Sequence, residues 1–244
     1  MTQSGRLYGI GVGPGDPELV TVKALRLIRA VAVIAYPAPE EGPSFARSIV
    51  AGWLDGTQGE IAIRFPMRPG PPPTRVYDRA AAAIAAELDA GADVAVLCQG
   101  DPLFYGSFCG LLARLGGHYP VEIVPGVSSL AACAAATMTP LVTRDETLTV
   151  VPATLPEDAL AERLAAADVA AVVKLGRHLD KVKRVLQRLG VSERAVYVEH
   201  ASLPDERTLS LAAVERAPYF SMVVVRTAIT RAPGTARRAA PQTT

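Results

Sequence analysis

The sequence predicts an α/β fold of two domains, and three observations support this. Short apolar runs alternate with helical patterns along most of the 244 residues. One run, Asp93–Cys98, is continuously apolar after its first residue and is typical of a central strand in a parallel sheet covered on both faces. The chain is also long for a single domain, and its pattern of residue types changes near 139–146. We therefore predict α/β domains at 1–140 and 147–231, with 232–244 as a disordered tail.

Hydrophobic periodicity alternates strands and helices in the first domain, which we expect to be mainly a parallel sheet. Thr21 can cap the first helix, in which Val22, Leu25 and Ile28 recur on one face. Gly91 is placed to end the longest helix. The predicted strands are Leu7–Ile10, Val31–Ala35 (closed by Tyr36 and Pro37), Asp93–Cys98 and Val121–Val124, and the later helices are Thr74–Ala90, Ser107–Leu115 and Ser128–Ala136.

The second domain is expected to contain a mixed sheet. Its predicted strands are Leu148–Val151, Val169–Leu175, Ala195–Glu199, Thr208–Leu211 and Met222–Arg226, and its helices are Pro156–Ala166 and a segment from Leu179 that ends at Gly190. The last two strands follow each other without a helix between them. Some antiparallel pairing is therefore expected.

Composition excludes several classes of protein. The formal net charge is +1 and no dense basic stripe occurs, so nucleic acid is not an expected partner. Cys98, Cys109 and Cys133 are odd in number and form no C-x-x-C pair, which predicts neither a disulfide framework nor a metal site. No signal segment and no apolar run of about 20 residues is present. A cytoplasmic protein without a membrane span is expected.

Three segments with glycine and proline follow predicted strands. They are GVGPGDPELVTVKA at Gly11–Ala24, QGDPLFYGS at Gln99–Ser107 and VPGVSS at Val124–Ser129. In open α/β sheets ligands collect at the carboxyl ends of strands, so the three segments can share one site.

A dinucleotide fingerprint is not supported by the first segment. Pro14 stands where the third glycine of G-x-G-x-x-G belongs, and it removes a backbone N–H that a phosphate would need. A structural turn alone would explain these glycines. In the second segment, Gly100 permits close approach of a ligand, and Asp101 offers a carboxylate to a cationic group or a ribose. Ser128 and Ser129 could either cap a helix or bind a ligand carboxylate.

Taken together, the three segments resemble the tetrapyrrole methylases in order and spacing. Weaker similarity continues through VVKLGRH at Val172–His178 and YVEHAS at Tyr197–Ser202, so the resemblance covers about 1–230. It implies the tetrapyrrole methylase fold, with a cofactor cleft between the two α/β domains, and a homodimer. It also implies S-adenosyl-L-methionine as methyl donor and S-adenosyl-L-homocysteine as product.

The resemblance also carries over a set of cofactor contacts. By position they fall on Pro14, Gln99, Gly100, Asp101, Phe104, Ser128, Ser129, Leu175 and Ala201. Two of these depart from the family pattern, because members often have Met at Leu175 and Gly at Ala201. The Ala201 methyl group would narrow that wall of the site.

Within the family, CQGDPLFYGSF, RFPM and VKLGRH are most similar to the members that methylate precorrin-2 at ring carbon 20. A sulfonium methyl group is already activated, so the protein mainly positions the reactants, and no catalytic base is identified. Precorrins carry many carboxylates, which arginine recognises well. The candidate substrate contacts are Arg64, Arg68 and Arg75, in or near predicted loops, together with Tyr105, and Arg144 and Arg177 are further candidates.

Several alternatives stay open. Phe104 and Tyr105 could flank a flat ligand or enter the core, and the Pro-rich segment 68–75 could be a lid or a stiff surface loop. The substrate could already carry cobalt. Rival activities are those of a uroporphyrinogen III, diphthine or ribosomal-RNA methyltransferase, and a remote one is a non-catalytic tetrapyrrole-binding protein.

Overall fold

The computed structural model describes residues 4–66 and 74–227. They form two compact units. The first runs to Ala132 and also includes Ala201–Pro204, whereas the second comprises Cys133–His200 and resumes at Asp205. The domain limits that we inferred from sequence texture stay a prediction, and the predicted tail and Arg68 lie outside the described residues.

The first unit contains a five-stranded sheet in which all neighbours are parallel, in the order β3-β2-β4-β1-β5. Its strands are β1 (Leu7–Gly11), β2 (Val33–Pro39), β3 (Gly59–Phe65), β4 (Val94–Cys98) and β5 (Val121–Val124). Its helices are α1 (Val22–Ala30), α2 (Phe45–Ile49), α3 (Thr74–Asp89) and α4 (Phe108–Leu115), and α5 (Ser129–Ala136) begins in this unit. Every residue of β4 is buried, and the strand is central, as its continuous apolar run predicts.

The start of α1 is confirmed, and its predicted apolar face is confirmed at Leu25 and Ile28 but not at Val22. The Thr21 side chain accepts a hydrogen bond from the Ala24 amide, which caps the helix. Ile28 is buried and Leu25 packs, partly buried, against the same core cluster, whereas Val22 is 83% exposed. Ala24 and Leu27 complete the buried side of the helix.

The predicted closure of β2 at Tyr36 and Pro37 is wrong, because the strand continues to Pro39 beside the unpredicted strand β3. Beyond Ala35, β2 is paired with β3 but no longer with β4. A proline is tolerated in a strand whose one side is unpaired, and Pro37 lies in such a part of β2. Tyr36 and Pro37 predict a strand end locally, but pairing with β3 extends the strand past them.

A partly exposed ion pair joins β3 to its neighbours. The guanidinium of Arg47, on α2, donates to both carboxylate oxygens of Glu60 on β3, at 2.8 and 2.7 Å. The hydroxyl of Tyr36, on β2, donates to the same carboxylate at 2.5 Å. The Arg47 and Tyr36 hydrogen bonds lower the pKa of Glu60 from 4.5 to about 2. Bidentate geometry makes this pair stronger than an ordinary surface ion pair.

The second unit contains a mixed five-stranded sheet in the order β6-β7-β10-β8-β9. Its elements are β6 (Leu148–Pro152), α6 (Glu157–Ala165), β7 (Val169–Val173), α7 (Leu179–Arg188), β8 (Ala195–Glu199), β9 (Arg207–Ser210) and β10 (Ser221–Arg226). Strand β6 runs parallel to β7, whereas β10 is antiparallel to both β7 and β8. The predicted mixed sheet is therefore confirmed. Over the described ranges, no helix is long and apolar enough to cross a bilayer.

The lowered pKa of Glu60 predicts a pH-dependent stability. The folded-state pKa is about 2 and the ordinary value is 4.5, so the carboxylate stabilises the fold above 4.5. This contribution is lost as the pH falls from 4.5 toward 2. Because the Glu60 side chain is 32% exposed, we expect only about 1 kcal/mol after screening. Glu60→Gln should therefore lower the unfolding free energy at pH 6 and change it little at pH 2.

Urea unfolding of both proteins across that pH range measures the effect. Glu41→Gln, at another exposed glutamate, serves as the control. An equal loss for Glu60→Gln at both pH values would show that the carboxylate contributes nothing through its charge.

Candidate functional site

The three predicted segments meet at one edge of the first sheet, because they follow the adjacent strands β4, β1 and β5. The Val12 amide donates to the Cys98 carbonyl at 2.9 Å, which continues the pairing of β1 and β4. Gly13 and Gly100 then form an isolated antiparallel bridge, with N···O distances of 2.7 and 3.4 Å. We call Gly13–Asp16 the glycine-rich loop. The structure thus brings together segments far apart in sequence.

The glycines at this edge are required by backbone packing. A Cβ at Gly126 would lie 2.0 Å from the Gly100 carbonyl oxygen, and one at Gly11 would lie 2.5 Å from the Gly126 nitrogen. The obstructing atoms are backbone atoms, which cannot move aside as a flexible side chain can. Gly11 and Gly126 therefore allow three loops to touch directly. The interpretation of the first segment as a structural turn explains its glycines locally but does not predict this contact between loops.

Gly100 differs from the other two glycines. Its φ is +66°, a left-handed conformation that favours glycine, and a Cβ there would meet nothing within 4 Å. The space beside this residue is therefore open. The predicted close approach of a ligand to Gly100 therefore has room, and ligand contact there stays a prediction.

The carboxylate of Asp101 joins the loop after β4 to the loop after β5 by hydrogen bonds. One oxygen accepts from the Gly126 amide at 3.1 Å, and the other accepts from the Leu103 amide at 2.9 Å. A charged acceptor with two backbone donors is a strong local restraint. Asp101 thus orders the loop after β4 against the loop after β5.

Gln99 and Pro14 are in contact in the same edge region. The Gln99 side-chain amide donates to the Pro14 carbonyl at 3.4 Å, and Pro14 is buried. This contact joins the glycine-rich loop to the end of β4 a second time. Ser128 and Ser129 lie at the start of α5, where the Ser128 carbonyl accepts from the Ala131 amide at 3.1 Å.

Phe104 and Tyr105 face solvent, so their rings do not enter the core. They are 37% and 51% exposed, and their rings lie 5.1 Å apart in an edge-to-face arrangement. Tyr105 has a φ of +55°, a conformation that non-glycine residues seldom adopt. Contact of these rings with a flat ligand stays a prediction.

Sequence reasoning missed two residues at this edge. The Asp16 amide donates to the Ser202 hydroxyl at 3.2 Å, and a Cβ at Gly15 would lie 2.6 Å from the Leu203 side chain. Both residues follow Ala201 in the segment Ala201–Pro204, which belongs to the first unit. The only sequence signal was the weak family similarity of YVEHAS, which ends at Ser202.

The remaining candidates are dispersed. Leu175 is fully buried in the core of the second unit, so its side chain is committed to packing and only its backbone could meet a ligand. Arg64 lies on β3 and not in a loop, and it donates to the Pro39 and Gly42 carbonyls at 2.9 and 3.0 Å. Arg75 lies in the first turn of α3, within the helix predicted from Thr74.

The buried cysteines are unreactive by environment. Burial raises the pKa of Cys98 to about 12 and that of Cys133 to about 12. A thiol with so high a pKa is neutral at physiological pH, so neither residue supplies a thiolate nucleophile.

Comparison with known proteins places the sequence among one family. Residues 6–215 match the family described as Tetrapyrrole (Corrin/Porphyrin) Methylases. A precorrin-2 C(20)-methyltransferase of Sinorhizobium sp is 40% identical over 232 residues, which cover 91% of this chain and 95% of the relative. A cobalt-precorrin-2 C(20)-methyltransferase of Salmonella typhimurium is 36% identical, covering 91% of this chain and 96% of the relative. The chain spans about half of another relative, cobalamin biosynthesis protein CobIJ of Mycobacterium bovis, which is 44% identical and is covered over 48% of its length.

Solved structures have the same fold. A cobalt precorrin-4 methyltransferase, CbiF, superposes with a TM-score of 0.70 at 25% identity, covering 90% of this chain and 94% of that one. A uroporphyrin-III C-methyl transferase from Thermus thermophilus, complexed with S-adenosyl homocysteine, has a TM-score of 0.66 at 26% identity. The superposition covers 91% of this chain and 92% of that one.

The close packing of the three loops predicts a position-specific intolerance. Gly126→Ala should lower the unfolding free energy by about 1–3 kcal/mol, because the added methyl group meets the Gly100 carbonyl. Gly117→Ala is the matched control, since a Cβ there meets nothing within 4 Å. Chemical unfolding of the two variants measures the difference. Equal stabilities would contradict the packing role of Gly126.

Proposed function

Because the chain belongs to the tetrapyrrole methylases, we propose that it methylates precorrin-2 at ring carbon 20, giving precorrin-3A in cobalamin biosynthesis. The observation that carries this proposal is the 40% identity to a precorrin-2 C(20)-methyltransferase that is matched over 95% of its length. The methyl donor is S-adenosyl-L-methionine. The methyl carbon bonds to carbon 20, its bond to sulfur breaks with the electron pair left on sulfur, and a proton leaves the macrocycle, so S-adenosyl-L-homocysteine is the second product.

The loop edge of the first unit suits this donor chemically. The space beside Gly100 is open, so a ligand has room to lie against the backbone there. The contacts that we propose are Pro14, the backbone of Gln99–Asp101, Phe104, Ser128, Ser129 and Ala201, with Leu175 contributing its backbone. When bound, the donor supplies an activated methyl group, so the chain has to hold it in line and exclude water.

The exposed aromatic pair and the arginines suit the acceptor. We propose that Phe104 and Tyr105 offer an apolar surface to the macrocycle, and that Arg64 and Arg75 pair with its carboxylates. The carbonyl contacts of Arg64 hold its guanidinium on the exposed side of β3. Arg68 is a further candidate in the segment outside the described residues. The resemblance also supports a homodimer that acts in the cytoplasm.

The second candidate is the same methylation of cobalt-precorrin-2, which the 36% identity to the Salmonella typhimurium enzyme favours. The two activities share the donor and the methylated carbon, so they differ only in the acceptor. A direct competition between metal-free and cobalt-loaded acceptors separates them.

Purified protein incubated with methyl-labelled S-adenosyl-L-methionine should transfer label to precorrin-2. The product should gain one CH₂, and the carbon resonance of position 20 should carry the label. We expect a higher kcat/KM with precorrin-2 than with cobalt-precorrin-2 or uroporphyrinogen III. Labelling of uroporphyrinogen III alone would overturn precorrin-2 as the acceptor but keep S-adenosyl-L-methionine as the donor. Binding of the tetrapyrrole without methyl transfer would favour a carrier protein.

Asp101 should be needed for donor affinity through the loops that it joins. Asp101→Ala removes the acceptor of two backbone amides, so we expect the Kd for S-adenosyl-L-homocysteine to rise about tenfold or more. Asp101→Asn keeps one carbonyl acceptor, so its Kd should lie between those of the wild-type protein and Asp101→Ala. Isothermal titration measures the affinity and circular dichroism checks the fold. An unchanged Kd in a folded Asp101→Ala protein would limit this residue to a turn.

A further inference from the structure

We propose that Ser202 is a positioning residue for the methyl donor, acting by holding the glycine-rich loop through the Asp16 backbone. This inference rests on the proposed function, since it concerns the same donor site. Ser202 itself need not touch the donor. Its contribution is to keep the loop at a fixed distance from the end of β4.

Two consecutive residues hold two consecutive positions of the loop. The Ser202 hydroxyl accepts a hydrogen bond from the Asp16 amide at 3.2 Å, with the two residues 186 positions apart in sequence. The Leu203 side chain occupies the place of a side chain at Gly15, where a Cβ would come within 2.6 Å of it. A polar contact and an apolar contact therefore fix one end of the glycine-rich loop.

The other end of this loop contacts the segment proposed to bind the donor. Gly13 exchanges both backbone hydrogen bonds with Gly100, and the Pro14 carbonyl accepts from the Gln99 side chain at 3.4 Å. The loop has only four residues, and the fixed φ of Pro14 removes one of its backbone torsions. A shift of Asp16 would therefore be passed on to Pro14 and to its contact with Gln99.

Backbone conformation supports a functional role for this segment. Ser202 has a φ of +69° and His200 a φ of +53°, both left-handed and neither glycine. Such residues persist only where surrounding contacts impose them, and they cluster at ligand sites. The residues that flank Ala201–Pro204 are themselves joined, since His200 Nδ1 lies 2.5 Å from the Asp205 carboxylate. A contact between its flanking residues thus closes the strained turn, and the Ser202 hydroxyl within it accepts from the glycine-rich loop.

Three variants separate positioning from general stability. Ser202→Ala removes the hydroxyl that accepts from the Asp16 amide and keeps the strained left-handed backbone. Ser202→Gly removes both the hydroxyl and the strain. Ser202→Asn restores an acceptor in a residue that tolerates the left-handed region. Ser48→Ala is the matched control, because its exposed hydroxyl donates only to a carbonyl of its own turn, that of Phe45, at 2.8 Å.

The first measurement is hydrogen exchange of the Asp16 amide in the free protein, followed by NMR. Loss of the Ser202 acceptor should speed exchange of this amide in both Ser202→Ala and Ser202→Gly. The second measurement is the Kd for S-adenosyl-L-homocysteine by titration. We expect an increase of about three- to tenfold in both variants and recovery of most of the affinity in Ser202→Asn. In the methylation assay, the KM for the donor should rise while kcat at saturation stays near the wild-type value.

The outcomes distinguish this inference from the proposed function. If the wild-type protein binds S-adenosyl-L-homocysteine and Ser202→Ala binds it equally well, the positioning role is wrong and the proposed function stands. Recovery of wild-type affinity in Ser202→Gly would also overturn it, because strain and stability would then explain the effect. If the wild-type protein does not bind this ligand at all, the proposed donor fails, and the positioning role fails with it whatever the Asp16 amide shows.

Discussion

The constraint on which the site depends is the direct contact of three backbone segments at the ends of β4, β1 and β5. Gly11, Gly100 and Gly126 approach so closely that a methyl group at Gly126 would fall 2.0 Å from a carbonyl oxygen. Because the obstructing atom belongs to the backbone, rotation of a side chain could not relieve that clash. Glycine at these positions is therefore what lets the three loops pack together, with open space left beside Gly100.

Side chains supply the hydrogen-bond acceptors that the irregular loops lack. Asp101 accepts from the Gly126 and Leu103 amides, and Ser202 accepts from the Asp16 amide. Loops cannot satisfy their amides through a regular ladder, so these contacts replace one. Methyl transfer from a sulfonium depends on placing two reactants in line, and loops held by such contacts suit the placement that we propose for them.

The second unit contributes differently. Its sheet is mixed because β10 lies antiparallel between β7 and β8, and its core takes in Leu175 completely. Family members often have Met at that position, and a long flexible side chain and a branched one can fill similar volume. Packing therefore accounts for the Leu175 side chain, and any ligand contact there is left to the backbone.

Local sequence patterns determined most elements and the chemistry of the loops. A continuous apolar run located β4, the predicted bounds of β5 and β8 match the observed ones, the Thr21 cap located α1, and the motif order identified the family. The tertiary structure alone decided the rest. Pro37 lies within a strand where β2 is paired on one side, Val22 is exposed although Leu25 and Ile28 pack on the core, and Ser202 reaches Asp16 across 186 residues. Periodicity reports only the neighbours of a residue along the chain, whereas strand pairing, helix rotation and loop contacts depend on residues that folding brings together from distant positions.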